Sequence, residues 1–266
     1  MRNPLSGSTA VYYIVGDPIA QVKSPQGVTE SLQNQGLNAV CVPAHVKSAD
    51  LSAFMQTSKA VQNVNGVIIT VPHKIPVAAD CDHISERAQF LGAVNVIRRS
   101  EQGWYGDMCD GEGYVKALQS KGTELKGKRL LLVGVGGAGS AIALSVLQAG
   151  VEVLAIHEVN EQRRDQLIHR LQELNLGQVV VGTADPAGFD IVLNATPVGM
   201  KATDPTPVDV SALRSNMVVG DVITSPVTTP LLEAAQQLGC TTVNGVDMFT
   251  QVRDLMVRFL LQGQGN

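Results

Sequence analysis

The stretch Arg129-Leu130-Leu131-Leu132-Val133-Gly134-Val135-Gly136-Gly137-Ala138-Gly139 fixes the architecture of the C-terminal half. Its apolar run predicts a buried parallel strand, and its glycines follow the spacing G-x-G-x-x-G. That spacing gains weight from its position, because it follows a strand and opens the Ala/Leu-rich helix that begins by Ala141. Backbone N–H groups and the positive end of the helix dipole would then converge on a pyrophosphate. Gly134 permits the tight turn, Gly136 permits close approach of a phosphate, and Gly137 and Ala138 complete the cradle. Further along, Val151–Ile156, Gln178–Val181, Asp190–Asn194 and Met217–Asp221 read as strands, with an amphipathic helix over Glu161–Leu174. Parallel-type strands separated by helices predict a doubly wound, Rossmann-type dinucleotide-binding domain.

Glu158 closes the second of these strands, roughly 20 residues beyond the glycines, where an acidic side chain accepts hydrogen bonds from the adenosine ribose. A carboxylate there repels a 2′-phosphate, and His157-Glu158-Val159-Asn160 contains no arginine to clamp one. NAD is therefore expected in preference to NADP. Arg163 and Arg164, one turn into the next helix, are within reach of a 2′-phosphate, but they read first as solvated helix-face charges.

Upstream, from Tyr12 to about Gly111, short β-rich runs alternate with polar, helix-compatible stretches, which predicts a second α/β domain. Tyr12–Val15 is a strand, Ser24 opens a helix through Gln35 with Pro25 in its first turn, and Ala39–Pro43 and Gly66–Val71 are further strands. Gly92–Ile97 reads as a loop leading into Trp104–Gly111. The final stretch, Met248–Gln262, is helical. The expected division assigns residues 1–112 with 247–266 to substrate binding and catalysis, and residues 113–246 to the dinucleotide.

A chain of 266 residues, 44% apolar and 17% charged, suits two modest globular domains. Its 20 Lys and Arg against 24 Asp and Glu give a net charge of −4 without a basic block, which argues against nucleic acid as a partner. The apolar runs are far short of the roughly 18–20 residues a membrane helix needs. Met1–Ser8 lacks the apolar segment of a secretory signal, so a cytoplasmic location is expected. Cys41, Cys81, Cys109 and Cys240 are scattered without metal-binding spacing, so reduced thiols and no metal are expected.

Two charged residues in the first half stand where ligands gather. Lys74, in Thr70-Val71-Pro72-His73-Lys74, lies past the C-terminal end of a strand, and Asp110 lies in a glycine-flanked loop just before the domain change. With Gly16-Asp17-Pro18-Ile19-Ala20, Lys23-Ser24-Pro25, Gly92-Ala93-Val94-Asn95, Asp110-Gly111-Glu112-Gly113, Asn194-Ala195-Thr196-Pro197-Val198-Gly199-Met200, Thr229-Pro230-Leu231-Leu232 and Gly245-Val246-Asp247-Met248-Phe249-Thr250-Gln251, the chain resembles the shikimate/quinate dehydrogenase family almost end to end.

The resemblance implies an NAD-dependent oxidoreductase that interconverts a ring 3-hydroxyl and ketone of shikimate, of quinate or of a related cyclohexane or cyclohexene carboxylate. Lys74 and Asp110 correspond to the catalytic pair, with Lys74 transferring the proton and Asp110 orienting substrate and lysine. Ser24 corresponds to a carboxylate-binding hydroxyl, Thr70, Asn95 and Gln251 to contacts with ring hydroxyls, and Asn194, Thr196 and Met200 to the loop supporting the nicotinamide. Two departures bear on the substrate: Val22 stands where the family commonly has a serine, and Met108-Cys109 replaces Asn-Thr before the aspartate. They admit a modified, amino-substituted acid as substrate, or a weakly catalytic NAD-sensing binding protein. A small hydroxy acid is the expected partner of a monomer or homodimer.

Overall fold

The computed structural model describes residues 5–20, 22, 24–201 and 203–262; Met1–Pro4 and Lys23, on which parts of the N-terminal and Ser24 readings rest, lie outside the described residues. Two units make up the chain, Met1–Cys109 with Arg253–Asn266, and Asp110–Val252.

The first unit contains β1 (Ala10–Gly16), α1 (Ser24–Asn34), β2 (Ala39–His45), α2 (Leu51–Ala60), β3 (Val64–Ile69), β4 (His83–Ile84), α3 (Glu86–Leu91), β5 (Val96–Ser100) and β6 (Gly103–Asp107). They build one six-stranded sheet in the order β2-β1-β3-β5-β6-β4. β1 runs parallel to β2 and β3, whereas β5 is antiparallel to both β3 and β6. Val15, Val28, Leu32, Val67, Val94 and Ile97 form its buried interior. The β5–β6 hairpin replaces the expected loop. Arg98 and Arg99 break the apolar alternation of β5, yet each guanidinium lies over an aromatic ring, Arg98 over Tyr105 and Phe259 and Arg99 over Trp104, so charged residues fit the strand by stacking.

The second unit contains α4 (Asp110–Ser120), β7 (Arg129–Val133), α5 (Gly137–Gln148), β8 (Val153–His157), α6 (Glu161–Gln172), β9 (Gln178–Val181), β10 (Ile191–Asn194), β11 (Val218–Asp221), α7 (Pro230–Gln237) and β12 (Thr241–Val243); α8 (Gly245–Leu261) starts here and ends in the first unit. Six strands, all parallel, lie in the order β12-β11-β10-β7-β8-β9. This is the doubly wound order, and the direction of winding reverses between β7 and β10, where such sheets bind ligands. β12 escapes the sequence reading because it is short and begins with two threonines. Among the described residues no helix is long and apolar enough to cross a membrane.

Candidate active site

The glycine loop connects β7 to α5. Gly134 has φ +90°, and a Cβ there would lie 2.5 Å from Thr196 Cγ2; a Cβ at Gly139 would lie 2.1 Å from the Gly134 carbonyl oxygen. Packing therefore excludes a side chain at both positions. At Gly136 and Gly137 nothing stands within 4 Å of an added Cβ, so the protein itself does not require glycine there. Open space over exposed backbone at the start of α5 is what a phosphate needs, and Ala138 continues the first turn. A cavity of about 430 Å³ adjoins it, lined by Gly134, Gly136, Glu158, Arg163, Thr196 and Pro207 among others. These residues fit the pyrophosphate and adenosine of a dinucleotide.

Asn194 and Thr196 meet at the end of β10. Asn194 has no exposed surface; its Oδ1 accepts from the Thr196 N–H at 3.0 Å and Oγ1 at 2.6 Å, and its Nδ2 donates to the Val198 carbonyl at 3.1 Å. Asn194 thus shapes the loop from beneath, while Thr196 faces the cavity. Met200 is 54% exposed and does not line that cavity.

Lys74, Thr70 and Asn95 gather in the first unit. Thr70 directly follows β3 and donates its N–H to the Val15 carbonyl at the end of β1. Lys74, half-buried, accepts at its own carbonyl from the Val94 N–H at 2.7 Å, which ties the lysine segment to the residue preceding Asn95. Asn95 is fully buried and its Oδ1 accepts from the Cys109 N–H at 2.9 Å. His73 is also fully buried, with Nε2 against the Val46 carbonyl at 2.7 Å, so it anchors the segment and turns away from solvent. Ser24 opens α1 and is half-buried.

Asp110 is the first residue of α4, not a loop residue as expected, and is 5% exposed. The next position shows what holds it: a Cβ on Gly111 would lie 2.0 Å from the Ala141 carbonyl oxygen, so α4 packs backbone to backbone on the first turns of α5. Gly113 likewise admits no side chain against Val252 of α8, which brings the helix bearing Gln251 onto the helix bearing Asp110. The small residues that make these contacts possible are visible in Gly111-Glu112-Gly113, but what they touch is remote in sequence.

Glu158 is 8% exposed and fully engaged. Its Oε2 accepts from the Val135 N–H at 3.1 Å, and its Oε1 from the Asn160 N–H at 2.9 Å and from Arg163 Nη2 at 3.0 Å. Burial pushes the carboxyl up, but the two N–H groups and the guanidinium outweigh it and hold Glu158 below its ordinary value.

A family model described as the shikimate dehydrogenase substrate binding domain matches residues 14–97. The chain is 36% identical over 248 residues to the shikimate dehydrogenase (NADP(+)) of Rubrobacter xylanophilus, covering 91% of this chain and 87% of that one. It is 30% identical over 253 residues to the enzyme of the same name from Geobacter metallireducens, covering 92% and 88%. Among solved structures, the shikimate 5-dehydrogenase of Listeria monocytogenes in complex with shikimate and NAD has a TM-score of 0.91 at 26% identity, covering 98% of this chain and 94% of that one.

The expectation of NAD over NADP is overturned by the relatives named as NADP(+) enzymes. The structure supplies the physical reason. Glu158 does not present a bare charge to the cavity, because Arg163, read from sequence as a solvated charge, folds back onto it and lines the same cavity. The Arg163 guanidinium offsets the Glu158 charge, so the repulsion expected of a bare carboxylate does not hold at this strand end.

Proposed function

The chain belongs to the shikimate dehydrogenase family of oxidoreductases acting on a CH–OH group, and from that premise we propose that it interconverts shikimate and 3-dehydroshikimate with NADP(+). In this reading the residues that hold the acid ring lie mainly in the first unit and those that hold the nucleotide lie in 113–246. The observation that carries it is the tie between the lysine segment and Val94-Asn95 at the strand ends, within the span matched by the substrate-binding model.

When bound, NADP(+) accepts hydride from the carbinol carbon. Loss of that hydride requires the hydroxyl proton to leave, and Lys74 Nζ is the group assigned to take it; in reduction the Lys74 ammonium returns a proton to the forming alkoxide. Asp110, buried and fixed against α5 through Gly111, orients the reacting hydroxyl. Ser24 binds the carboxylate, and Thr70, Asn95 and Gln251 bind the remaining ring hydroxyls. Arg163 would supply charge for a 2′-phosphate, with Glu158 holding its guanidinium in place.

Where the family has Asn-Thr, Met108-Cys109 stands next to the site through Asn95. Both side chains are 1% exposed, and it is the backbone of Cys109 that reaches Asn95. With purified wild-type protein, NADPH absorbance should rise when shikimate and NADP(+) are mixed, with kcat/KM for shikimate well above that for quinate. Tight NADPH binding without turnover of shikimate would overturn the assignment.

A further inference from the structure

Asp221 ends β11 with no exposed surface, and nothing in the sequence reading placed it at the site. Its Oδ2 accepts from Asn194 Nδ2 at 3.2 Å and from Thr229 Oγ1 at 2.8 Å, and its Oδ1 accepts from the Ile223 N–H at 3.0 Å. Asn194 carries the connection onward. It holds the Thr196 N–H and hydroxyl on one side of its amide and the Val198 carbonyl on the other, and Thr196 Oγ1 accepts from the Val198 N–H at 3.1 Å. The segment 195–198 so held is one wall of the cavity beside the glycine loop. Gly134 leans on the same wall, since its missing Cβ would strike Thr196 Cγ2. On the other side, Thr229 caps α7 through the Leu232 N–H at 3.4 Å while its hydroxyl is donated to Asp221.

A fully buried carboxylate is a costly residue to place at the base of a loop, and burial pushes Asp221 above its ordinary value despite the donors around it. An apolar residue could pack there, but it could not take the amide N–H of Asn194 while leaving the Asn194 oxygen for Thr196. The carboxylate therefore also fixes which way the Asn194 amide faces.

We propose that Asp221 is a positioning residue for the dinucleotide: without touching it, the carboxylate orients Asn194 and so sets the 195–198 wall against which the cofactor lies. The inference rests on the assignment of this cavity to NADP(+). It separates from a purely structural role, which would lower the melting temperature yet leave the folded protein's affinity intact.

The test measures NADPH binding by fluorescence titration and amide hydrogen exchange on ligand-free protein, for wild type, Asp221→Asn, Thr229→Ser and Thr229→Val. Asp221→Asn should weaken NADPH binding about tenfold or more, as loss of a charge-assisted hydrogen bond gives, with KM for shikimate changed by about twofold at most. Exchange at the Thr196 and Val198 amides should be faster before any ligand is added. Thr229→Ser, which keeps the hydroxyl, should bind as wild type does, while Thr229→Val should weaken; this pair decides the matter if Asp221→Asn does not fold. Wild-type affinity and unchanged protection in Asp221→Asn, or equal binding by Thr229→Val and Thr229→Ser, would overturn the inference alone. Failure of wild-type protein to bind NADPH would overturn the cofactor assignment and this inference with it.

Discussion

The glycines of one loop answer to different demands. Gly139 is required by the protein, because the Gly134 carbonyl occupies the place of its Cβ. Gly136 has open space around it and a φ of −65° that any residue adopts, so only a ligand requires its lack of a side chain. Gly136→Ala should therefore melt close to wild type and bind NADPH more than about tenfold less tightly, since the methyl sits where phosphate approaches. Gly139→Ala should lose about 1–3 kcal/mol of stability or more, because backbone cannot step aside as a side chain can. Thermal melts and NADPH titrations distinguish the two, and a large stability loss in Gly136→Ala would contradict the reading. The glycines were legible because their spacing is local. Glu158 was legible only in place: its bond from Val135 depends on where the glycine loop passes, and that from Arg163 on how α6 starts, a start set by Asn160, whose side chain accepts from the Arg163 N–H at 3.0 Å.

At the scale of elements, Asp107 joins the end of β6 to the start of α3. Its carboxylate accepts from Arg87 Nε at 2.7 Å and Nη2, from the Ser85 hydroxyl and from the Met108 N–H, while Ser85 caps α3 through the Ala88 N–H. Asp107 also holds Asn95, whose N–H donates to its carbonyl at 2.9 Å. Burial pushes the carboxyl up, but Arg87, Ser85 and Met108 together outweigh it, so the folded value lies below the ordinary one. A depressed carboxylate stabilises the fold fully above its unfolded value, about 3.9, and loses that contribution as pH falls through the lower, folded value. Arg87→Met should cost about 3 kcal/mol at neutral pH, because it strands a buried charge. The gap from wild type should narrow as pH falls towards and below about 4, because the stranded Asp107 of the variant takes up its proton before the paired carboxylate of wild type does. Urea unfolding at neutral pH and at about pH 3 measures this, and a gap independent of pH would contradict it. None of this was legible in the sequence, which shows neither the β5–β6 hairpin nor the pairing of residues 20 apart. Parallel strands such as β7 and β10 announce themselves by unbroken apolar runs, whereas β5 carries two arginines that only the rings beneath them explain.

For the whole molecule, the order of motifs along the chain identifies two α/β units and the family, because each motif sits at a strand end or helix start where its chemistry is local. Nucleotide choice was not legible in the same way. The charge at the end of β8 depends on whether its carboxylate is bare or covered, and Arg163 covers Glu158 from a different element. The proposed chemistry makes Lys74 the group that moves the hydroxyl proton, with neighbours that bind without reacting. Steady-state kinetics of Lys74→Met with shikimate and NADP(+), alongside NADPH titration of the same variant, test that most directly. A fall in kcat of about 10²–10⁴, with NADPH affinity within about twofold of wild type, is the expected result. Retention of most of kcat would contradict it.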